Sequence, residues 1–321
     1  MLRVLEVTLP VFALVFCGYI GQRRRLVPLR AVEGLNAFVF YFALPAMLLR
    51  IVASQPVENL SDARFALGFT LTGLIVFFAT RRATLATSSA KDGALSPGTR
   101  CRATAFGLHT SHGNVGYLGV ALVSELGSRY LPTLILASVC DIAILIVLTI
   151  ALMEFEQHPD GQGMRAAAAA VLRVLLGSPL VLAIAAGLVC SITSTRLPAV
   201  ADNFVRILSG AAGPCALFAI GASLGERPMS LGRTVRWLVF AKLVAHPVLA
   251  AVVLILVVRA SPQAAAIGVL AASLPGASNS FIIAQRYGVD GQEIGAAVLA
   301  GTVAGLATVS LVIWALGLAP G

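Results

Sequence analysis

Charged residues are scarce in this sequence. Asp, Glu, Lys and Arg make up 12% of it, about half of their share in soluble globular domains. This scarcity excludes an ordinary water-soluble protein, whose surface is covered largely by charged and polar side chains. Acidic residues are rarer than basic residues, with 14 of the former and 23 of the latter. Hydrophobic residues fill 58% of the chain and the mean hydropathy is +0.92, so the composition predicts an integral membrane protein.

The motifs of several enzyme classes are also missing. The sequence contains no GxxxxGK[ST] phosphate loop, no HExxH and no spaced cysteine and histidine set, so we expect no cofactor and no metal site. Its five cysteines do not form the pattern of a disulfide framework. An intramembrane enzyme is not supported either, because Asp141 is the only acid deep in an apolar segment and has no second acid for an aspartyl dyad.

Ten apolar segments approach the roughly 20 residues needed to span a bilayer. They cover approximately residues 5–20, 35–54, 65–80, 103–126, 131–153, 171–192, 200–224, 237–258, 264–287 and 294–318. Most basic residues, among them Arg23, Arg24, Arg25, Arg81 and Arg82, fall in the loops on one side, which the positive-inside rule places in the cytoplasm. The net charge of +9 is therefore explained by topology and not by a nucleic-acid partner. We expect a multi-pass protein of the inner (plasma) membrane with both termini outside.

Two prolines and a glycine recur at a constant offset of 169 residues. The pairs are Pro10 with Pro179, Gly18 with Gly187, and Pro45 with Pro214. Each pair falls in corresponding spans of the two halves, and five spans in each half would make the second half inverted relative to the first. We therefore predict two five-helix repeats, residues 1–156 and residues 165–321.

Helix-breaking and amide-bearing residues interrupt two of the segments, at residues 111–119 and 273–280. A polar break in a membrane helix persists only where it is buried in protein or lines a cavity, and one break in each half is typical of a transporter binding site. Half-helices that begin at the breaks would aim their N-terminal amides at an anion. The alternative is that these residues only satisfy the broken backbone or allow close helix packing. The candidate substrate-binding residues are Gly113, Asn114, Pro275, Gly276, Ser278 and Asn279, and Ser280 adds a hydroxyl.

Four titratable residues within the spans are candidates for proton coupling: His112, Asp141, Lys242 and His246. A charge in mid-membrane must face a cavity, find a partner or be neutralised, so Asp141 is either a coupling residue or a hydrogen-bonded structural acid. Lys242 and His246 share one helix face. Lys242 could bind an anion or extend to the cytoplasmic interface, and His246 could bond a carbonyl freed by the next proline. His109, one turn before His112, is a weaker candidate.

Four motifs in order resemble the auxin efflux carrier family, whose bacterial members include proposed malonate transporters. They are LNAFVFYFALP (35–45), GNVGYLG (113–119), KLVAHP (242–247), and LPGAS (274–278) with YG (287–288). The resemblance spans essentially the whole chain and implies an all-α membrane fold of ten helices in two inverted repeats, with broken fourth and ninth helices crossing at the substrate site. Val120 and Ala121 occupy positions at which family members often have proline. Gly113 occupies a position at which the plant members have proline. The plant hormone is therefore not carried over as a substrate.

We expect from the sequence a secondary transporter of small organic anions, such as carboxylates and dicarboxylates of the malonate type, with alternating access around the crossed helices. Its partners would be the anion and the bilayer, with a homodimer as the candidate assembly. Two alternatives stay open. One is a sodium-coupled symporter of the bile-acid-carrier type, although the ninth span lacks the acids that a hard cation favours. The other is a membrane receptor that does not transport.

Overall fold

The computed structural model describes residues 2–54, 62–88, 96–157, 163–195, 197–226 and 231–318. These ranges are helical, and one isolated antiparallel bridge is the only β pairing within them. The helices of the first half are α1 (Leu2–Arg23), α2 (Leu29–Phe38), α3 (Leu44–Ala53), α4 (Ala63–Ala86), α5 (Pro97–Ser111), α6 (Val120–Leu126), α7 (Leu131–Cys140) and α8 (Val147–Gln157). Those of the second half are α9 (Gly163–Gly177), α10 (Pro179–Ile192), α11 (Ala199–Gly210), α12 (Ala212–Glu226), α13 (Arg233–Phe240), α14 (His246–Ala251), α15 (Pro262–Ser273), α16 (Asn279–Arg286) and α17 (Gln292–Ala315).

Wider π-helical turns join several of these helices. They are Val39–Ala43 between α2 and α3, Val115–Gly119 before α6, Asp141–Ile146 between α7 and α8, Ala241–Ala245 between α13 and α14, and Val252–Val257 after α14. Proline explains two of them, because its ring displaces the carbonyl four residues earlier and it donates no N–H. For Pro45 and Pro247 those displaced carbonyls fall in Val39–Ala43 and Ala241–Ala245.

Ser-Pro pairs start three of the helices. Ser96 precedes Pro97 of α5, Ser178 precedes Pro179 of α10, and Ser261 precedes Pro262 of α15, and each serine side chain accepts a backbone N–H of its own helix. Serine is a preferred N-cap and proline a preferred first helical residue. The cap at Ser178 separates α10 from α9, so the start predicted for the sixth span, residue 171, is wrong. The Ser-Pro pairs that start α5 and α15 were not predicted as helix starts from the sequence.

Six helices of the described chain are long and apolar enough to cross a membrane: Arg30–Ala53, Ala63–Ala86, Ser128–Gln157, Ala199–Ser223, Arg233–Val257 and Gln292–Ala315. Shorter apolar helices are Leu9–Arg23, Val115–Leu126, Pro179–Ile192 and Pro262–Ser273. Each predicted span overlaps one of these ten helices. The integral membrane class is thus supported, while crossing by all ten stays a prediction.

The helices pack as two bodies. We call α1, α2, α3, α10, α11 and α12 the panel, in which α1 packs on α12 and α10 packs on α3. We call α4 to α8 and α13 to α17 the crossover bundle, in which α5 packs on α4, α8 and α16, and α15 packs on α7, α14 and α17. The panel meets the bundle through α1 against α6 and α17, α12 against α6, and α3 against α7.

Glycine allows the closest approaches inside the panel. Gly18 of α1 lies against the backbone of Phe218 in α12, and Gly187 of α10 lies against the Leu49 carbonyl in α3. A Cβ on Gly187 would be 3.0 Å from that carbonyl oxygen. The offset of 169 residues that relates Gly18 to Gly187 also relates Leu49 to Phe218. One repeat offset therefore maps the first helix contact onto the second.

Candidate functional site

The two sequence breaks cross each other in the middle of the bundle. Gly113 and Gly276 form the isolated antiparallel bridge. The Asn114 N–H donates to the Pro275 carbonyl at 2.8 Å, and the Ala277 N–H donates to the His112 carbonyl at 3.3 Å. Backbone groups freed by one break are thereby satisfied by the other, which is what a non-helical segment at membrane depth requires.

The first break separates α5 from the helix that begins at Val115. Asn114 precedes this helix and is buried, with 6% of its surface exposed. Its side chain does not cap the helix, and no group in the described part of the chain is hydrogen-bonded to its amide. The first N–H groups of a helix have no acceptor within that helix. Donors from the Asn114 side chain and from the helix start therefore lie at one place.

His112 and Asp141 form a buried hydrogen-bonded pair beside this break. The Nδ1 of His112 donates to Oδ2 of Asp141 at 3.0 Å, and Asp141 is 2% exposed. Asp141 opens the π-helical segment between α7 and α8, and such segments are frequent at functional sites. The structure thus brings together two of the four predicted coupling candidates.

Lys242 and His246 form the other pair. The Lys242 Nζ donates to His246 Nδ1 at 2.9 Å and to the Ala272 carbonyl of α15 at 2.9 Å. It also lies 3.3 Å from where a Cβ on Gly113 would stand. Lys242 is 1% exposed, so its extension to the membrane surface is wrong. Its ammonium points into the crossing instead.

The second break has no titratable residue of its own, but His109 of α5 packs against it. A Cβ on Gly276 would be 2.7 Å from His109 Nδ1, so only glycine fits there. Ser280 donates to the Ala277 carbonyl at 2.7 Å, and its hydroxyl lies 3.2 Å from His109 Nδ1. The sequence analysis gave His109 little weight. Its position on the last turn of α5, three residues before His112, was the available signal.

The remaining predicted residues of the second break are less enclosed. Pro275 and Gly276 are buried, Asn279 is half-buried and Ser278 is exposed. The half-helix α16 begins at Asn279, three residues after the predicted start near Gly276. All six candidate substrate-binding residues therefore lie at the crossing, but only those of the first break combine burial with a free side-chain amide. Among the residues that the structure describes, no group of three histidines, cysteines or acids could hold a metal ion.

A separate set of ion pairs lies at the end of the bundle predicted to be cytoplasmic. Arg81 of α4 pairs with Glu156 of α8, and Arg102 of α5 pairs with Glu293 of α17 at 2.6 Å. The first pair lies within the first half, and the second pair joins the two halves. They lie near the outer ends of those helices and do not belong to the crossing.

Comparison with known proteins gives similarity along nearly the whole chain. The model of a family described as membrane transport protein matches residues 3–315. A protein of Rhizobium meliloti (strain 1021) named "Putative malonate transporter" is 33% identical over 312 residues, which cover 97% of this chain and 95% of that protein. The lysosomal cholesterol signaling protein of Mus musculus is 25% identical over 261 residues, which cover 77% of this chain and 29% of that protein.

Proposed function

Since this chain belongs to the auxin efflux carrier family of membrane transport proteins, we propose that it is a secondary transporter of small organic anions. It is a transport protein and not an enzyme. The observation that carries the choice of an anion is the side-chain amide of Asn114, a residue that is 6% exposed at the start of a helix and whose amide has no hydrogen-bond partner in the described chain. An amide that no protein group occupies is free to bind a ligand, and an anion held there would accept its N–H groups.

A carboxylate suits these donors. The Asn114 amide offers N–H groups, and the helix start adds main-chain N–H groups together with roughly half a positive charge. Dicarboxylates are the first substrates to test, because the bacterial relative is named for malonate. The candidate residues of the second break, Ser278 and Asn279, would contact the far end of such a substrate.

Transport would proceed by movement of the crossover bundle against the panel. The proposed inverted repeats, 1–156 and 165–321, would make this movement symmetrical, and they are supported by the Gly18 contact with Phe218, which maps onto the Gly187 contact with Leu49. Apolar side chains such as Val15, Leu122 and Leu217 form a common cluster where the two bodies meet. Apolar surfaces can change partners without leaving hydrogen bonds unmade, which favours rigid-body movement.

We assign proton coupling to the pair of His112 and Asp141, which lies beside Asn114 and can take up or release a proton. Asp141→Asn keeps a hydrogen-bond acceptor for His112 but removes the charge. This variant should fold and bind substrate, yet a pH gradient should no longer accelerate its transport. The sodium-coupled alternative makes the opposite prediction, that uptake follows a sodium gradient at constant pH and is indifferent to Asp141→Asn.

The central test is uptake of radiolabelled malonate, succinate and acetate by proteoliposomes that contain the purified protein. Asn114→Ala removes donors to a charged ligand, an interaction of about 1.5 to 3 kcal/mol, so affinity should fall roughly ten- to a hundredfold. Asn203→Ala is the matched control, because Asn203 is exposed on α11 of the panel. Wild-type proteoliposomes that take up none of the acids would contradict transport of this class, and unchanged affinity in a stable Asn114→Ala would contradict the site. A receptor that does not transport would bind an acid without uptake.

Orientation is tested separately. Single cysteines at Arg24 and Ser128, in a background that lacks the five native cysteines, should react differently with a membrane-impermeant maleimide. Ser128→Cys should label in intact cells of the expression host, and Arg24→Cys only after permeabilisation. The reverse pattern would place both termini in the cytoplasm.

A further inference from the structure

The C-terminal ends of α5 and α15 meet at the crossing, where they bring the terminal carbonyls of two helices together. The last four carbonyls of any α-helix have no donor within the helix, and the end carries roughly half a negative charge. In α5 these residues include Thr110, and in α15 they include Ala272. Two such ends in one buried place amount to about one negative charge, which a single cation would balance.

Lys242 supplies that cation from a third element. Its Nζ donates to the Ala272 carbonyl at 2.9 Å, directly at the end of α15. The π-helical turn Ala241–Ala245, before Pro247, places the Lys242 side chain inside the bundle. Both Lys242 and His246 are 1% exposed. Two protein acceptors, a carbonyl and a ring nitrogen, take hydrogen bonds from the ammonium.

His246 extends the same charge to the other helix end. Because the ammonium donates to His246 Nδ1 at 2.9 Å, the ring proton of a neutral imidazole resides on Nε2. That Nε2 is buried and has no hydrogen-bond partner in the described chain, and the His246 ring lies close to the backbone of Thr110 at the end of α5. The pair of Lys242 and His246 therefore places one donor toward each broken helix.

We propose that the Lys242 ammonium, extended by His246, is a resident cation that holds the C-terminal ends of both broken helices together. It occupies a cation-binding site of this chain that a soluble cation would otherwise have to fill. Lys242 is then a positioning residue, which sets the crossing and does not touch the transported anion. This inference concerns the opposite, carbonyl-lined ends of the broken helices and does not depend on which substrate is carried.

The proposal predicts that removal of the Lys242 side chain creates a site for a small primary ammonium ion. We would measure thermal unfolding of the full-length protein in detergent, without substrate, for the wild type, Lys242→Ala and the volume-conserving Lys242→Met. Loss of one partner from a buried charged contact is strongly destabilising, so both variants should melt about 5 to 15 °C lower. Adding n-propylammonium should restore at least half of the loss in Lys242→Ala and little in Lys242→Met, where the methionine side chain fills the space.

Leu243→Ala is the matched control, since Leu243 is buried in the same segment but uncharged. It should also melt lower, but n-propylammonium should not restore it. Tetramethylammonium, which has no N–H donor, should restore none of the variants. Sodium that restores Lys242→Ala alone would also support a cation site.

Two results would overturn the proposal. One is a Lys242→Met that melts like the wild type. The other is restoration that is absent from Lys242→Ala or equal in Leu243→Ala. If neither neutral variant can be purified, Lys242→Arg decides. A purified Lys242→Arg that melts nearly like the wild type supports a requirement for positive charge at this position, and failure to purify Lys242→Arg as well counts against it. Because no substrate is present, a failure here leaves the anion-transport proposal standing, and a failure of uptake leaves this result standing.

Discussion

The two breaks that cross in the bundle differ in what they contribute. The first carries its own chemistry, because His112 is hydrogen-bonded to Asp141 and the side-chain amide of Asn114 has no partner in the described chain. The second contributes shape, because Gly276 lets the His109 ring approach and Ser278 is exposed. The first break therefore offers side-chain chemistry, whereas the second offers close packing.

Removal of the acid beside the first break should have the largest effect on stability. Asp141→Ala leaves His112 buried without its partner, and breaking a buried ion pair from one side costs about 3 to 5 kcal/mol. Thermal unfolding in detergent should show a large loss for Asp141→Ala and a smaller one for Asp141→Asn, which still accepts a hydrogen bond. Equal melting temperatures for the two variants and the wild type would show that the pair does not stabilise the crossing.

Substitution of the second break should act through packing. A Cβ on Gly276 would overlap the His109 ring, and overpacking of this kind costs about 1 to 3 kcal/mol. Gly116→Ala is the matched control near the first break, since nothing lies within 4 Å of a Cβ there. We expect Gly276→Ala to lose thermal stability and transport together, and Gly116→Ala to keep its stability. The reverse order would contradict the close approach of His109.

The two serines of the second break sharpen this distinction. Ser280→Ala removes a buried hydroxyl that bonds Ala277 and His109, and leaving such a partner unsatisfied costs about 1 to 3 kcal/mol. Ser278→Ala changes an exposed side chain and should stay within about 0.5 kcal/mol. Thermal unfolding of the two variants in the same detergent measures the difference. A loss in Ser278→Ala as large as that in Ser280→Ala would mean that Ser278 is enclosed.

Asn279 should have the smallest effect on binding. It is half-buried at the start of α16, whereas Asn114 is buried. We expect Asn279→Ala to weaken substrate binding less than tenfold, below the effect of Asn114→Ala. Equilibrium binding of the transported acid to both purified variants makes the comparison. A larger loss for Asn279→Ala would move recognition to the second break.

Much of this protein could be predicted from local sequence properties. Apolar length identified the membrane class, and glycine, proline and asparagine marked both breaks, because helix-breaking residues act on the backbone where they stand. The offset of 169 residues between Pro10 and Pro179 is also the offset that relates the Gly18 contact to the Gly187 contact, while the inverted repeat itself stays a prediction. The family resemblance was confirmed by a match over residues 3–315.

Tertiary structure alone decided which of these residues act together. His112 and Asp141 are 29 residues apart in the chain, and Lys242 and Ala272 are 30 apart, so no local pattern could pair them. From the sequence, Lys242 could either bind an anion or extend to the membrane surface. Packing around the π-helical turn Ala241–Ala245, before Pro247, directs it to the end of α15 instead. A lysine side chain has a long apolar stem and a charged end, so it can reach either place. The position of the carbonyls around Lys242 decides between them.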